Sequence, residues 1–391
     1  MKAVVVGAGI TGVTTAYYLA KAGYEVKIYD ARKYPAMATS YANGGQLSAS
    51  NAEVWNSWRS VYKGAKWLFK ADAPLKINPF PKLDKYSWFF KFIREIPNAE
   101  LNTQKTCEMA LSAHTLYKKI AEEEDIEFDK VEKGILHIYT DKAEFDNAKR
   151  VNKIYQRAGL NRWQVSPQEC LDIEPALVPP PTLLGGFYND TDFTGDIHKF
   201  CVELEKVLET KYGVEYIRCT VKDLREDLRE HRGPVVVCAG VDSRQLAKTI
   251  GDDLPIYPVK GYSITIHNPG VAPWTSMLDD EAKIVTARLG EDRLRVAGTA
   301  EFNGYNTDII QKRIKPLVDW SNRIFPGICT ENVTPWAGLR PMTPNMMPIV
   351  MQSKSSQRIF YNTGHGHLGW TLSAFTAREI VNKIKNRKER N

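Results

Sequence analysis

The sequence predicts an α/β protein in two parts: a parallel-sheet domain that is discontinuous along the chain, and an inserted α+β domain built on an antiparallel sheet. Three observations carry this expectation. The chain opens on a short apolar strand, a glycine-rich turn and a helix, all within residues 2–22. A second buried run of the parallel type, 234–240, ends in glycine. Between residues 256 and 299 the pattern changes to strands at 262–267, 283–288 and 293–298, which read as antiparallel. At 391 residues the chain exceeds one small core, and an interrupted first domain explains the order without any repeat.

The opening stretch organises the rest. Residues 2–6 are β-branched and apolar, Gly7-Ala8-Gly9-Ile10-Thr11-Gly12 follows at once, and 13–22 has helical composition. Gly7 lets the backbone turn, Gly9 leaves room for a pyrophosphate, and Gly12 lets helix and strand pack closely. The anion then sits on a helix N-terminus carrying roughly half a positive charge. A second strand, 25–29, closes on Asp30, whose carboxylate can accept both hydroxyls of an adenosine ribose and would repel a 2′-phosphate. This is a Rossmann-like dinucleotide site, set against the plain alternative of a tight turn that binds nothing. Residues 39–48 are small, polar and glycine-paired. Such a loop either presents backbone N–H groups to a flat heterocycle or is an ordinary surface loop.

Residues 54–94 are compositionally unusual, with eleven aromatic residues interleaved with nine basic and only two acidic ones. Their excess of +7 equals that of the whole chain. Two readings stand: a surface suited to anionic lipid head groups, or two amphipathic helices whose aromatics fill a core while their lysines face water. Without an accompanying motif, nucleic acid is not expected as a partner.

Further along, Ala99–Glu124 reads as one long helix, 134–139 as a strand and 142–158 as a helix. Ser166-Pro167-Gln168-Glu169 is a helix cap and first turn, and the four prolines of 175–181 mark a loop or domain crossing. The α/β pattern resumes with a helix at Ile197–Tyr212 and a strand at 214–219. A helix at 308–325, a strand at 358–362, the glycine loop 363–369 and a final helix to about residue 385 complete the chain. That last loop leads into a helix, whose N-terminus could stabilise negative charge on a reduced ring system.

The composition, 43% hydrophobic and 25% charged, is that of an ordinary globular protein, and no run approaches the length of a membrane span. The first strand begins at residue 2 and leaves no space for a cleavable signal, so a reducing cytoplasm is expected. Six scattered cysteines, without CxxC or Cys/His spacing, predict neither a zinc site nor a disulfide framework.

Taken together, the segments VVVGAGITG (4–12), TSYANGGQLS (39–48), GAKWLFKADAPLKINP (64–79), VVVCAGVDS (235–243), YPVKGYSIT (257–265), GLRPMTPNMMPIV (338–350) and NTGHGHLGWTLSA (362–374) resemble the FAD-dependent amine and amino-acid oxidoreductases related to D-amino-acid oxidase and glycine oxidase. They run from end to end in that family's order. The resemblance implies a glutathione-reductase-type FAD-binding domain at 1–50, 186–253 and 336–391, and a substrate-binding domain at 51–185 and 254–335.

By the same resemblance Gly7, Gly9, Gly12 and Asp30 hold the ADP half of FAD, and Ala42, Asn43, Gly44, Gly45 and Gln46 lie along the flavin. Gly364, His365, Gly366, His367, Leu368 and Gly369 face the flavin's N1 and O2 edge. Val6, Ile10, Thr11, Ala31, Arg32, Ser40, Val221, Ala239, Gly240 and Gly338 complete the expected cofactor contacts, to which Arg340 also belongs. Arg340 corresponds to the family's carboxylate clamp, a role that a planar guanidinium suits by making two charge-assisted bonds. Tyr257 and Tyr262 are candidates for the pocket wall. No metal site is expected. No cysteine or histidine stands where a covalent flavin link is expected, which implies dissociable FAD. Relatives commonly carry threonine where this chain has His367, and a Gly-Ser-Gly run where it has Phe375-Thr376-Ala377. The implied reaction is oxidative deamination of a D-alanine-like amino acid, by hydride transfer from Cα to flavin N5, with a respiratory quinone as acceptor. Oxygen-using oxidation of glycine or sarcosine, and a flavin-binding protein without turnover, are the alternatives. The expected location is the cytoplasm, with residues 54–94 as a candidate contact to the inner face of the cytoplasmic membrane.

Overall fold

The computed structural model describes residues 1–67, 74–80 and 82–388. Residues 68–73, part of both the 54–94 stretch and the 64–79 motif, lie outside the described residues, as does Pro81. One sheet has six strands in the order Ile349–Gln352, Ile359–Thr363, Val235–Val237, Lys2–Val6, Glu25–Asp30, Glu215–Arg218. The opening strand pairs in parallel with Val235–Val237 on one side and Glu25–Asp30 on the other. Ala3 and Val5 pack into the core on one face of the sheet, Val4 and Val6 into the core on the other. Burial on both faces is why the run is continuously apolar rather than alternating. The chain order reverses on either side of Lys2–Val6, so ligands are expected beyond the carboxyl ends of these central strands.

The first helix spans Ile10–Lys21, three residues earlier than the composition predicts, and packs against the helices Gly369–Lys388 and Ile197–Tyr212. Asp196 caps the second of these from its side chain, and Ser166 with Glu169 forms the expected capping box of Pro167–Ile173.

A two-stranded sheet pairs Gln46–Leu47 with Phe193–Thr194, and the third sheet has nine strands. Its spine is Tyr257–His267, antiparallel to Val333–Met342 over ten paired residues and to Arg293–Phe302 on its other side. Beyond these the order runs Ile284–Leu289, Ser276–Asp279, Ile135–Tyr139, Gly185–Asn189, Trp163–Val165. The expected antiparallel sheet is parallel at two seams, Ser276–Asp279 with Ile135–Tyr139 and Leu75–Ile77 with Arg293–Phe302. The helix Gln311–Ile324 covers one face with Ile314, Leu317, Trp320 and Ile324. Gly185–Asn189 and Val333–Met342 both pair in the nine-stranded sheet. A strand's partner depends on distant hydrogen bonds, which local composition does not encode.

Residues 54–94 divide between core and surface. Trp58–Trp67 and Leu83–Arg94 are helices; Trp88 and Phe92 are buried and face Tyr257, Val259 and Phe302. Trp58, Tyr62, Phe80, Leu83, Tyr86 and Phe90 are exposed. Not all the cations reach solvent. The Lys85 ammonium is buried against the carbonyls of Asn78 and Phe80, and Arg59 and Lys63 pair with Glu144.

Candidate active site

A cavity of about 1740 Å³ is lined from both sheets. It exceeds the roughly 300–1,000 Å³ of ordinary small-molecule pockets, leaving room for a dinucleotide and a second small molecule. At one end the glycine turn is built as its sequence demands. Gly7 has φ +102°, and a Cβ there would lie 2.7 Å from the Cys238 carbonyl oxygen. A Cβ on Gly12 would lie 1.8 Å from the Gly7 carbonyl oxygen, so helix and turn touch only because both residues are glycine. Asp30 accepts from the Ala8 N–H at 2.7 Å and from the Arg32 N–H at 2.8 Å. Its carboxylate thereby ties the turn to the end of the second strand, while further lone pairs stay available to a diol. The first turn of Ile10–Lys21 holds no acidic residue, and its N-cap is Gly9, which has no side chain to compete for the helix N–H groups. Ser40 Oγ accepts from the Ile10 N–H at 3.1 Å. An anion-binding helix end, a diol-accepting carboxylate and a large cavity fit the ADP half of FAD.

The 39–48 loop is pinned to the nine-stranded sheet. Ser263 donates to the Ala42 carbonyl at 2.7 Å, Arg295 to the Asn43 carbonyl at 3.0 Å, and Gln46 Nε2 to Ser276 Oγ at 2.8 Å. Opposite, Gly364 and Gly366 take φ of +74° and +60°, leading through a short turn into the helix Gly369–Lys388. His365 bonds Thr376 Oγ1 at 2.8 Å, and burial pushes its pKa down to about 3. His367 stacks on Trp55 with ring centroids 4.9 Å apart and is pushed down to about 4, by burial first and then by Arg340. Both rings are therefore neutral at ordinary pH.

Arg340 lies on Val333–Met342, opposite Val259 of the neighbouring strand. Its guanidinium occupies the space where Gly261 would carry a Cβ, which is why a glycine interrupts that strand. The register between Tyr257–His267 and Arg293–Phe302 shifts at Lys260/Tyr262, and there Thr299 adopts φ +60°. The bulge turns the Thr299 carbonyl toward Arg340, whose Nη1 donates to it at 2.9 Å. No carboxylate of the described residues pairs with Arg340; burial alone lowers its pKa, to about 10. A charged, desolvated guanidinium with one carbonyl for a partner among the described residues has the chemistry to receive a carboxylate, since an unpaired buried charge is costly to keep otherwise.

Of the residues expected at the site, the cavity wall includes Val6, Gly7, Gly9, Ile10, Thr11, Asp30, Ala31, Arg32, Ser40, Ala42, Asn43, Gly44 and Gln46. It also includes Val221, Ala239, Gly240, Gly338, Arg340 and the whole loop Gly364 to Gly369. Gly12 and Gly45 stand just behind it. A Cβ on Gly45 would meet Ala287 Cβ at 2.5 Å. Tyr257 is a correction: it is 2% exposed and stacked on Phe302, in the core beneath Trp88 rather than in the wall. Tyr262 does line the cavity, but its hydroxyl donates to Glu301 at 2.9 Å. Trp55, Gly261 and Thr299 were not expected. The isolated strand glycine at 261 is the one local signal that pointed there; Trp55 and Thr299 reach the site through folding alone. Among the described residues no cluster could hold a metal ion, and all six cysteines are free.

Comparison with known proteins agrees with this geometry. The family profile described as DAO, FAD dependent oxidoreductase, matches residues 2–383. D-amino acid dehydrogenase 3 of Mesorhizobium japonicum is 52% identical over 402 residues, covering 98% of this chain and 97% of its own. D-amino acid dehydrogenase of Paramagnetospirillum magneticum is 40% identical, covering 99% and 96%. Glycine oxidase from Geobacillus kaustophilus superposes with a TM-score of 0.76 at 20% identity, covering 98% of this chain and 94% of that one. L-proline dehydrogenase from P. horikoshii superposes with a TM-score of 0.75 at 18% identity, covering 98% and 93%. At that level of identity the likeness is one of fold. The profile match across nearly the whole length, together with a relative at 52% identity, places this chain in the DAO family of FAD-dependent oxidoreductases, as an enzyme that uses FAD.

Proposed function

We propose that the chain oxidises a D-amino acid of about the size of D-alanine to its 2-oxo acid and ammonia, passing the electrons to a quinone-type acceptor. The observation that carries this reading is Arg340, a desolvated guanidinium without a carboxylate partner among the described residues, in the same cavity as the glycine turn. The dehydrogenase names of the relatives at 52% and 40% identity support the substrate class.

In this reading Gly7, Gly9, Gly12 and Asp30 hold the ADP moiety, while the segment Ala42 to Gln46 and the loop Gly364 to Gly369 hold the ring system. Bound FAD supplies, at flavin N5, the acceptor for the hydride that leaves Cα. Arg340 grips the substrate carboxylate and so fixes the direction of the Cα–H bond. With its pKa near 10 it keeps its charge at neutral pH. No side-chain base is needed when the amine arrives neutral, because its own lone pair assists departure of the hydride; water then hydrolyses the imino acid.

For the acceptor, the surface supports this reading. Exposed Trp58, Phe80, Leu83 and Phe90 stand with Lys82, Lys91 and Arg94 on a segment that also lends Val61, Leu75, Tyr86 and Phe89 to the cavity wall. One segment thus borders both the redox cavity and an aromatic, basic face suited to the inner leaflet of a membrane. No helix among the described residues is long and apolar enough to cross a membrane. The test is anaerobic addition of D-alanine to the FAD-loaded protein. Bleaching of the visible flavin band, and turnover with a quinone-like dye without hydrogen peroxide, are expected. Stoichiometric peroxide in air would transfer the chain to the oxygen-using amine oxidases. A band that persists across a panel of amino acids would make it a flavin-binding protein without turnover.

A further inference from the structure

Two buried polar atoms without partners among the described residues accompany the Arg340 guanidinium. Thr299 Oγ1 and His367 Nε2 are both buried, both lack a hydrogen-bond partner among the described residues, and both belong to residues of the cavity wall. Each residue is held against Arg340 by a different device. Thr299 accepts Arg340 Nη1 on its carbonyl. His367 is brought over by the bridge between Met342 and His365, which lies two residues from Arg340 on one strand and two residues from His367 on the other. A β-branched residue at φ +60° is uncommon, and glycine would take that conformation without strain. The chain nevertheless has a threonine there, and no group of the described residues uses its hydroxyl. The His367 ring is held in place by stacking on Trp55 at an interplanar angle of 22°. The Asn51 backbone near the ring favours the tautomer that leaves Nε2 with its lone pair.

We propose that Thr299 Oγ1 and His367 Nε2 form the amine-binding half of the site, accepting the two N–H bonds of a neutral α-amine whose carboxylate lies on Arg340. This rests on the reading above that the substrate is an amino acid. The three groups, one cation and two acceptors, match a carboxylate and an amine on one carbon. They leave the nitrogen lone pair free to assist the hydride. Ammonium carries a third N–H for which this arrangement holds no acceptor, so the productive species is the neutral amine. A 2-hydroxy acid offers a single O–H and fills only half the arrangement.

The experiment uses the FAD-loaded full chain with Thr299→Val, which keeps the branched shape, and His367→Phe, which keeps the ring on Trp55. Kinetics with D-alanine are set beside the dissociation constant of propionate, a carboxylate without an amine, read from the flavin spectrum. Each variant should lower kcat/KM for D-alanine about tenfold, the double variant more, while propionate binding stays within twofold. Thr299→Ser, which retains a hydroxyl, should recover most of the loss. Unchanged D-alanine kinetics in the single variants would overturn the proposal. So would propionate weakening in step with D-alanine, because the two residues would then act only through Arg340. A wild-type flavin that no amino acid bleaches would sink the amino-acid reading and this inference together, whereas indifferent variants of an active wild type sink the inference alone.

Discussion

Replacing Arg340 by Met separates binding from stability, because the two are expected to move in opposite directions. A bidentate guanidinium–carboxylate contact shielded from water contributes two charge-assisted bonds of about 1.5–3 kcal/mol each. At 1.36 kcal/mol per decade, their loss predicts a fall in kcat/KM of about two to four orders of magnitude. Stability follows from desolvation. Burial lowers the guanidinium pKa from its ordinary value to about 10, so the protonated form is disfavoured by folding. Neutral pH lies below both values, so the whole cost is present there and is relieved only as pH rises through about 10. That cost is on the order of 3 kcal/mol as an upper bound, offset by about 1 kcal/mol for the lost bond to the Thr299 carbonyl. Met fills similar space without a charge, so Arg340→Met should melt a few degrees higher than the wild type. The assay is dye-linked turnover of D-alanine, with FAD content and thermal melting measured on the same preparations. Unchanged kcat/KM with full FAD would remove Arg340 from the site. A marked drop in Tm would show that its charge is satisfied within the protein.

The remaining expectations concern cofactor, pH and surface. Asp30→Ala should raise the Kd for FAD at least tenfold, because it loses both the diol acceptor and the bonds from Ala8 and Arg32. With FAD saturating, KM for D-alanine should stay within twofold; fluorescence of released flavin reads the first quantity and steady-state kinetics the second. Gly12→Ala drives a Cβ to 1.8 Å from the Gly7 carbonyl oxygen, so the purified variant should be colourless or insoluble, and a yellow, active protein would contradict the packing described. The profile of kcat/KM should climb above about pH 7 as the substrate amine deprotonates, and fall above about pH 10 as Arg340 loses its proton. His365 and His367, pushed down to about 3 and about 4, should add no break near pH 6.5, and one there would refute their burial. Leu83→Ser with Phe90→Ser, both exposed and outside the cavity wall, should cut co-sedimentation with phosphatidylserine vesicles about tenfold and leave dye-linked turnover intact; equal sedimentation would argue against this face as the membrane contact.

The sequence by itself determined the cofactor end of this protein. Lys2–Val6, the glycine turn and Asp30 form one contiguous unit in which each residue type has a single steric or electrostatic reason for being there, so pattern and structure coincide to within a few residues. The capping box at Ser166 was legible for the same reason: its hydrogen bonds span three residues. Tertiary structure alone decided the substrate end. Tyr257 has the composition of a pocket residue, yet strand register turns it into the core against Phe302. Thr299 has no local distinction, yet a bulge opposite Lys260 and Tyr262 aims its carbonyl at Arg340. His367 reaches that strand through a bridge, and Trp55 arrives from a helix-flanking segment more than three hundred residues away in the chain. A dinucleotide is held mainly by backbone geometry, which local residue choice dictates. An amino acid is held by side chains from several strands, and their meeting depends on hydrogen-bond register and on packing between distant segments.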